Sequence, residues 1–178
     1  MKFVRIPALL APALALATAV GLAALMLAGC QRAEQAPAVS YTLLDGRRSD
    51  LAALRGHVVL VNFWATDCAP CVEEMPAMVE NWRRFSPQGF ETLAVSMSYD
   101  APALVADFAQ SRRLPFPVAI DNTGAIAHGF GDIRFTPTSV LIDKRGRIVK
   151  RWVGKTDFAA LAPLIDQLNR EPLAGVRS

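Results

Sequence analysis

In the stretch His57-Val58-Val59-Leu60-Val61-Asn62-Phe63-Trp64-Ala65-Thr66-Asp67-Cys68-Ala69-Pro70-Cys71, an apolar run feeds directly into two cysteines at C-x-x-C spacing. His57 to Trp64 is almost unbroken apolar sequence, the pattern of a central strand buried on both faces. A helical stretch follows to about Phe85, with Pro76 as an expected kink. Cys68 therefore falls at the predicted start of a helix, where unpaired N–H groups and the helix dipole stabilise a negative sulfur. That lowers its pKa and makes it the attacking thiolate. Cys71, one turn on, is placed to resolve a mixed disulfide, and Pro70 between them removes a backbone donor and stiffens the turn. A permanent disulfide and half of a zinc site are the competing readings of the pair. Zinc needs about four ligands. Only His57 and His128 remain as soft partners, neither at ligand spacing, so no metal is expected.

Outward from this stretch the chain alternates β and α. Val39 to Leu44 reads as an opening strand ending in Asp45-Gly46, and Phe90 to Ser98 as a second strand. Pro102 to Arg113 reads as a helix and Pro115 to Asp121 as a short strand. Thr138 to Asp143 and Arg147 to Val153 flank Lys144-Arg145-Gly146, a hairpin signal. Thr156 or Asp157 can cap a final amphipathic helix to about Arg170. The fold class is α/β, and a strand that delivers C-x-x-C to a helix, with a later hairpin and terminal helix, is thioredoxin-like. Three layers are expected: a mixed central sheet flanked by helices.

The first 29 residues hold two of the 19 basic residues, Lys2 and Arg5, and none of the 16 acidic ones. A basic start, a long apolar run and small residues make an export signal. Its end, Leu27-Ala28-Gly29-Cys30, resembles the lipobox of bacterial lipoproteins, in which the cysteine carries the lipid and the chain is cut before it. An uncut signal anchor is the alternative, because the apolar run is long enough to span a bilayer. The expected organisation is a signal peptide over 1–29, a lipidated tether over 30–38, a domain over 39–170 and a tail over 171–178. The expected location is the bacterial cell envelope, on a membrane-anchored lipoprotein facing the periplasm or extracytoplasmic space. With Cys30 lipidated, Cys68 and Cys71 are the domain's two cysteines, in a compartment where pairs oxidise.

Without the leader, the net charge of +3 falls to +1. A nucleic-acid binder would keep a concentrated basic face, so that class is excluded. The composition also excludes a disordered chain, a multi-span membrane protein and a disulfide-stapled miniprotein.

Three segments in order, Val59-Leu60-Val61-Asn62-Phe63-Trp64-Ala65-Thr66, Cys68-Ala69-Pro70-Cys71-Val72-Glu73-Glu74-Met75-Pro76 and Thr136-Pro137-Thr138-Ser139-Val140-Leu141-Ile142-Asp143, resemble the TlpA/ResA group of membrane-tethered thiol–disulfide oxidoreductases. The resemblance implies a disulfide reductase with a redox pair at Cys68 and Cys71 and no cofactor. It implies a cis proline at Pro137, with Thr136 offering its backbone to the substrate, and an active-site glutamate at Glu74 that exchanges protons with the cysteines. A solvated helix-surface glutamate is the other reading of Glu74. The implied partners are a membrane thiol-reductant conduit and exported proteins with paired cysteines, apocytochrome c or copper-site proteins among them, met by a monomer.

Two positions depart from the group. Asp67 stands where Trp is usual before the first cysteine, and its carboxylate disfavours a neighbouring thiolate. Asn62 stands where thioredoxins proper carry a buried Asp. Two other functions compete. A peroxiredoxin-type peroxidase needs Pro and Thr where this chain has Val61 and Ala65. A copper-binding assembly protein would use the cysteine pair and a histidine, against which the resemblance sets Pro137.

Overall fold

A computed structural model of the chain describes residues 33–172; the leader, Cys30 and residues 173–178 lie outside the described residues. The first strands, β1 (Ser40–Thr42) and β2 (Arg48–Asp50), form a two-stranded antiparallel sheet of their own. The main sheet contains β3 (Val58–Trp64), β4 (Phe90–Ser96), β5 (Val118–Ile120), β6 (Thr138–Ile142) and β7 (Ile148–Val153), in the order β5-β4-β3-β6-β7. β3 lies in the centre, parallel to β4 and antiparallel to β6. All seven of its residues are buried, as its nearly unbroken apolar run predicts. The helices are α1 (Ala69–Phe85), α2 (Pro102–Ser111), α3 (Ala125–Gly129) and α4 (Phe158–Arg170).

Side chains alternate across a strand, so β3 feeds two cores. Val59, Val61 and Phe63 face a core closed by Tyr41, Leu51 and the Ile126, Ala127 and Phe130 side chains around α3. The Phe63 and Phe130 rings meet edge to face, 5.3 Å between centroids. Val58 and Leu60 face Phe85 of α1 and Leu161, Ile165 and Leu168 of α4. Trp64, at the end of the same row, packs among Cys71, Met75 and Met78 of α1 and Val105 of α2. The result is the expected three layers, with α1, α2 and α4 on one side of a mixed sheet.

Several boundaries move. The opening strand shortens to three residues because its partner is the short segment Arg48–Asp50, absent from the sequence reading. α1 continues through Pro76, whose side is exposed. α4 is capped by Asp157, whose Oδ1 accepts from Ala160 N–H at 3.0 Å. α3 is a further addition: five residues held by the buried Asp121 carboxylate, which accepts from the N–H groups of Ile126 (3.1 Å) and Ala127 (2.8 Å).

Part of the stretch assigned to a tether lies on the domain. Ile148 N–H donates to Glu34 C=O (2.7 Å) and Ala36 N–H to Gly146 C=O (2.9 Å), extending the sheet beside β7. Arg151 reaches back to the Glu34 carboxylate at 2.6 Å. Further along, Leu44 N–H donates to Val118 C=O (3.1 Å) and Leu43 bridges Ala119, on the opposite edge of the sheet at β5.

Candidate active site

The buried end of β3 fixes where the cysteines begin. Trp64 and Ala65 are fully buried, and the chain turns back so that Cys68 N–H donates to Ala65 C=O at 3.2 Å. Cys68 is the N-cap of α1, with extended backbone, and its C=O accepts from the N–H groups of Cys71 (3.0 Å) and Val72 (3.1 Å). Cys71 N–H also points at Cys68 Sγ, 3.3 Å away. The N–H that Cys68 C=O holds is thus shared with the Cys68 sulfur at the positive end of the helix, a setting that favours a thiolate there. The two cysteines form a disulfide, with Cα atoms 5.2 Å apart. Cys71 is fully buried, whereas Cys68 is half-buried. Only one of the two sulfurs is therefore open to a partner, the asymmetry an attacker and a resolver require.

The register of β6 brings the second predicted element alongside. Phe63 pairs with Thr138, so the loop ahead of β6 lies beside the exit of β3. The Thr136–Pro137 peptide bond is cis, as the resemblance implies. Pro137 C=O accepts from Gly154 N–H (2.8 Å) and Phe135 C=O from the Thr138 hydroxyl (2.7 Å). Among the described residues, neither the N–H nor the C=O of Thr136 has a backbone partner. A free donor and acceptor at one residue fit the edge of an extended chain.

One turn after Cys71 on the same helix, Glu74 is buried, at 5% exposure, so it is not a solvated surface glutamate. Its Oε1 accepts from Asn62 Nδ2 (2.9 Å) and its Oε2 from Thr156 N–H (3.1 Å). Asn62 Nδ2 also donates to Ser139 Oγ (2.9 Å), to which the Thr156 hydroxyl donates in turn (2.8 Å). Burial pushes the Glu74 carboxyl above its ordinary value, and the hydrogen bonds from Thr156 and Asn62, with nearby Lys155, work against that rise. Asn62 Oδ1 is buried without a donor. Turning the Asn62 amide over would present that oxygen to a protonated Glu74, so the network has room for one proton.

Sequence reasoning singled out Glu74 and Asn62 but not Ser139 or Thr156, which lie far away along the chain. It also missed Asp100. This buried carboxylate accepts from Thr66 N–H (2.7 Å), the Thr66 hydroxyl (2.6 Å) and the Ser96 hydroxyl (3.1 Å), clamping the segment that leads into Cys68. Asp67, next to Cys68 in sequence, is exposed. Glu73, next to Glu74, points outward and pairs with Lys155. Among the described residues, no group of three or more His, Cys, Asp or Glu is gathered to hold a metal ion.

A strand-delivered C-x-x-C at a helix start, one sulfur accessible and a cis-proline loop alongside, defines a thiol–disulfide oxidoreductase of the thioredoxin fold. Comparison with known proteins agrees and narrows the class. The chain belongs to the redoxin family, whose model matches residues 31–162. It is 37% identical over 122 residues to the thiol-disulfide oxidoreductase ResA of Bacillus thuringiensis subsp. konkukian, covering 68% of this chain and 69% of that protein. The ResA of Bacillus subtilis is 34% identical over 123 residues, 68% of each chain. Among solved structures, a thioredoxin-class protein from Neisseria meningitidis superposes with a TM-score of 0.73 at 37% identity, over 79% of this chain and 94% of that one. A thiol:disulfide interchange protein from Chlorobium tepidum TLS gives 0.72 at 27% identity, over 79% of this chain and 99% of that one.

Proposed function

We propose that the chain runs thiol–disulfide exchange in the reducing direction, on exported proteins with paired cysteines, from a lipid anchor at Cys30. The observation that carries the direction is the pair of carboxylates about the cysteines: Asp67 exposed beside Cys68, and Glu74 buried one turn beyond Cys71. Both disfavour additional negative charge on the sulfurs. A less stabilised thiolate gives its electrons up more readily. In the dithiol form, the Cys68 thiolate attacks a substrate disulfide and one substrate sulfur leaves as thiolate. The Cys71 sulfur, as thiolate, then attacks Cys68 Sγ and releases the second. Two electrons pass to the substrate, and its two sulfurs take up the two protons the cysteines gave up.

The electrons return from a membrane thiol conduit, and apocytochrome c haem-site cysteines or copper-site proteins are the leading targets. The named ResA relatives and the lipobox-like Leu27-Ala28-Gly29-Cys30 support this reading. Redox titration of the Cys68–Cys71 couple tests the direction: a potential nearer to about −270 mV than to about −120 mV is expected, and one at the oxidising end would reverse it. Mass spectrometry of the natural protein tests the anchor. It should find a mature N-terminus at a lipid-modified Cys30, and an intact leader would mean a signal anchor in the membrane instead.

A further inference from the structure

Tyr99 is a large aromatic side chain that the fold leaves 62% exposed, on the turn between β4 and α2. Nothing in packing explains its position, yet its base is fixed at both ends. Met97 N–H donates to Trp64 C=O (3.0 Å) and Asp100 N–H to Met97 C=O (3.0 Å). The neighbouring Asp100 carboxylate grips Thr66, two residues ahead of Cys68. The ring thus projects from a turn locked to the segment that carries the attacking cysteine. At its other end the Tyr99 hydroxyl lies 3.5 Å from Thr136 Oγ1, beside the unpaired backbone of the docking loop. Phe135, on the far side of Thr136 in sequence, is 69% exposed.

We infer that Tyr99 is a substrate-binding residue of the exchange reaction, one wall of a site for an extended chain lying along Thr136. It favours an aromatic or large apolar residue beside the reacting cysteine. The inference rests on the thiol–disulfide reading of Cys68 and Cys71. Three features support it. The 3.5 Å contact is longer than an ordinary O–H···O bond, so the hydroxyl gives up little in exchanging Thr136 for a substrate backbone group. A tyrosine ring offers a rigid amphipathic surface at small entropic cost, because it orders only two torsions. Phe135, adjacent to Thr136 in sequence and 69% exposed, adds apolar surface to the same loop, and the polar recognition comes from Thr136 and the Tyr99 hydroxyl.

The test compares two substrates of the purified full-length protein. One is a small soluble aromatic disulfide with no peptide chain. The other is a disulfide-containing peptide with Phe beside the reacting cysteine, with a Gly version as reference. Tyr99→Ala is expected to raise KM for the Phe peptide about fivefold to tenfold, the worth of one aromatic contact. The Phe-over-Gly preference should collapse and the reduction potential of the couple should hold. Tyr99→Phe keeps the ring, so most of the Phe preference should persist. An unchanged KM and preference in Tyr99→Ala would overturn the assignment. So would an equal slowing on peptide and small disulfide together with a shifted potential, since that pattern marks a structural role. A wild-type protein that reduces neither substrate removes the exchange reading, and the assignment with it.

Discussion

The two faces of β3 are built to different standards. Val59, Val61 and Phe63 meet a core of hydrocarbon, with no side-chain polar group among the β3 residues facing it. The opposite row, Val58, Leu60, Asn62 and Trp64, is interrupted by Asn62, and Glu74, Ser139 and Thr156 gather on it. Burying a carboxylate and an amide stabilises a fold less than burying a leucine of similar volume, even when the polar groups are bonded. The polar face is the one that α1 covers, and α1 carries the disulfide. One side of the strand is thus apolar throughout, while the other combines its own apolar clusters with a buried polar network at the site.

The largest break in this contrast removes the chemistry outright. Cys68→Ala should abolish exchange altogether. Cys71→Ala should retain the attack and accumulate mixed disulfides with partner proteins, visible as adducts on non-reducing gels that vanish on reduction. Adducts formed by Cys68→Ala instead would exchange the two roles. Next in size is the apolar face. Phe63→Ala should cost about 3–5 kcal/mol of stability through the cavity left against Phe130. Denaturant unfolding would show the loss, while the redox potential of the folded protein stays put. A shifted potential would mean that the two faces are not separable.

Asp100→Ala is smaller. It strands the Thr66 N–H and two hydroxyls, at a cost of about 1–3 kcal/mol. Unlike Phe63→Ala it should also alter the rate at which a thiol reagent finds reduced Cys68, because Thr66 loses its clamp. The smallest effect sharpens the polar face by pH. The folded Glu74 carboxyl titrates above its ordinary 4.5, so between those two values the folded chain holds a proton the unfolded chain has lost. Its contribution is fully present below 4.5 and is lost as pH rises through the folded value. Glu74→Gln should flatten that fall in a series of unfolding curves across the acid range. A wild-type protein that gains stability over the same window would place the shift in the wrong direction.

The parts legible in sequence are those in which neighbours along the chain decide the outcome. The buried strand, the cysteines at a helix start and the Asp157 cap are all local patterns. The cis Thr136–Pro137 bond came through resemblance, since local sequence gives no sign of it. The rest depends on distant partners. Nothing near Thr156 announces that its N–H will reach Glu74, and Ser139 reads as one more strand residue. α3 is too short to show a period and depends on Asp121 reaching forward to it. Asn62 was legible only as an oddity, a polar residue in an apolar run, and the fold supplies its explanation.

The segment from Glu34 to Leu44 runs from one border of the main sheet to the other, pairing at Arg147–Ile148 on one side and at Val118–Ala119 on the other. An open strand border invites other chains to add to it, and stacking of copies follows. Here a single stretch of chain occupies positions on both borders, with Lys150 and Arg151 supplying charge along the remainder of β7. Left bare, either border would be open to any extended segment that met it. Where the segment pairs, those border groups are already taken, whereas among the described residues Thr136 keeps a backbone N–H and C=O with no backbone partner, well away from both pairings in sequence.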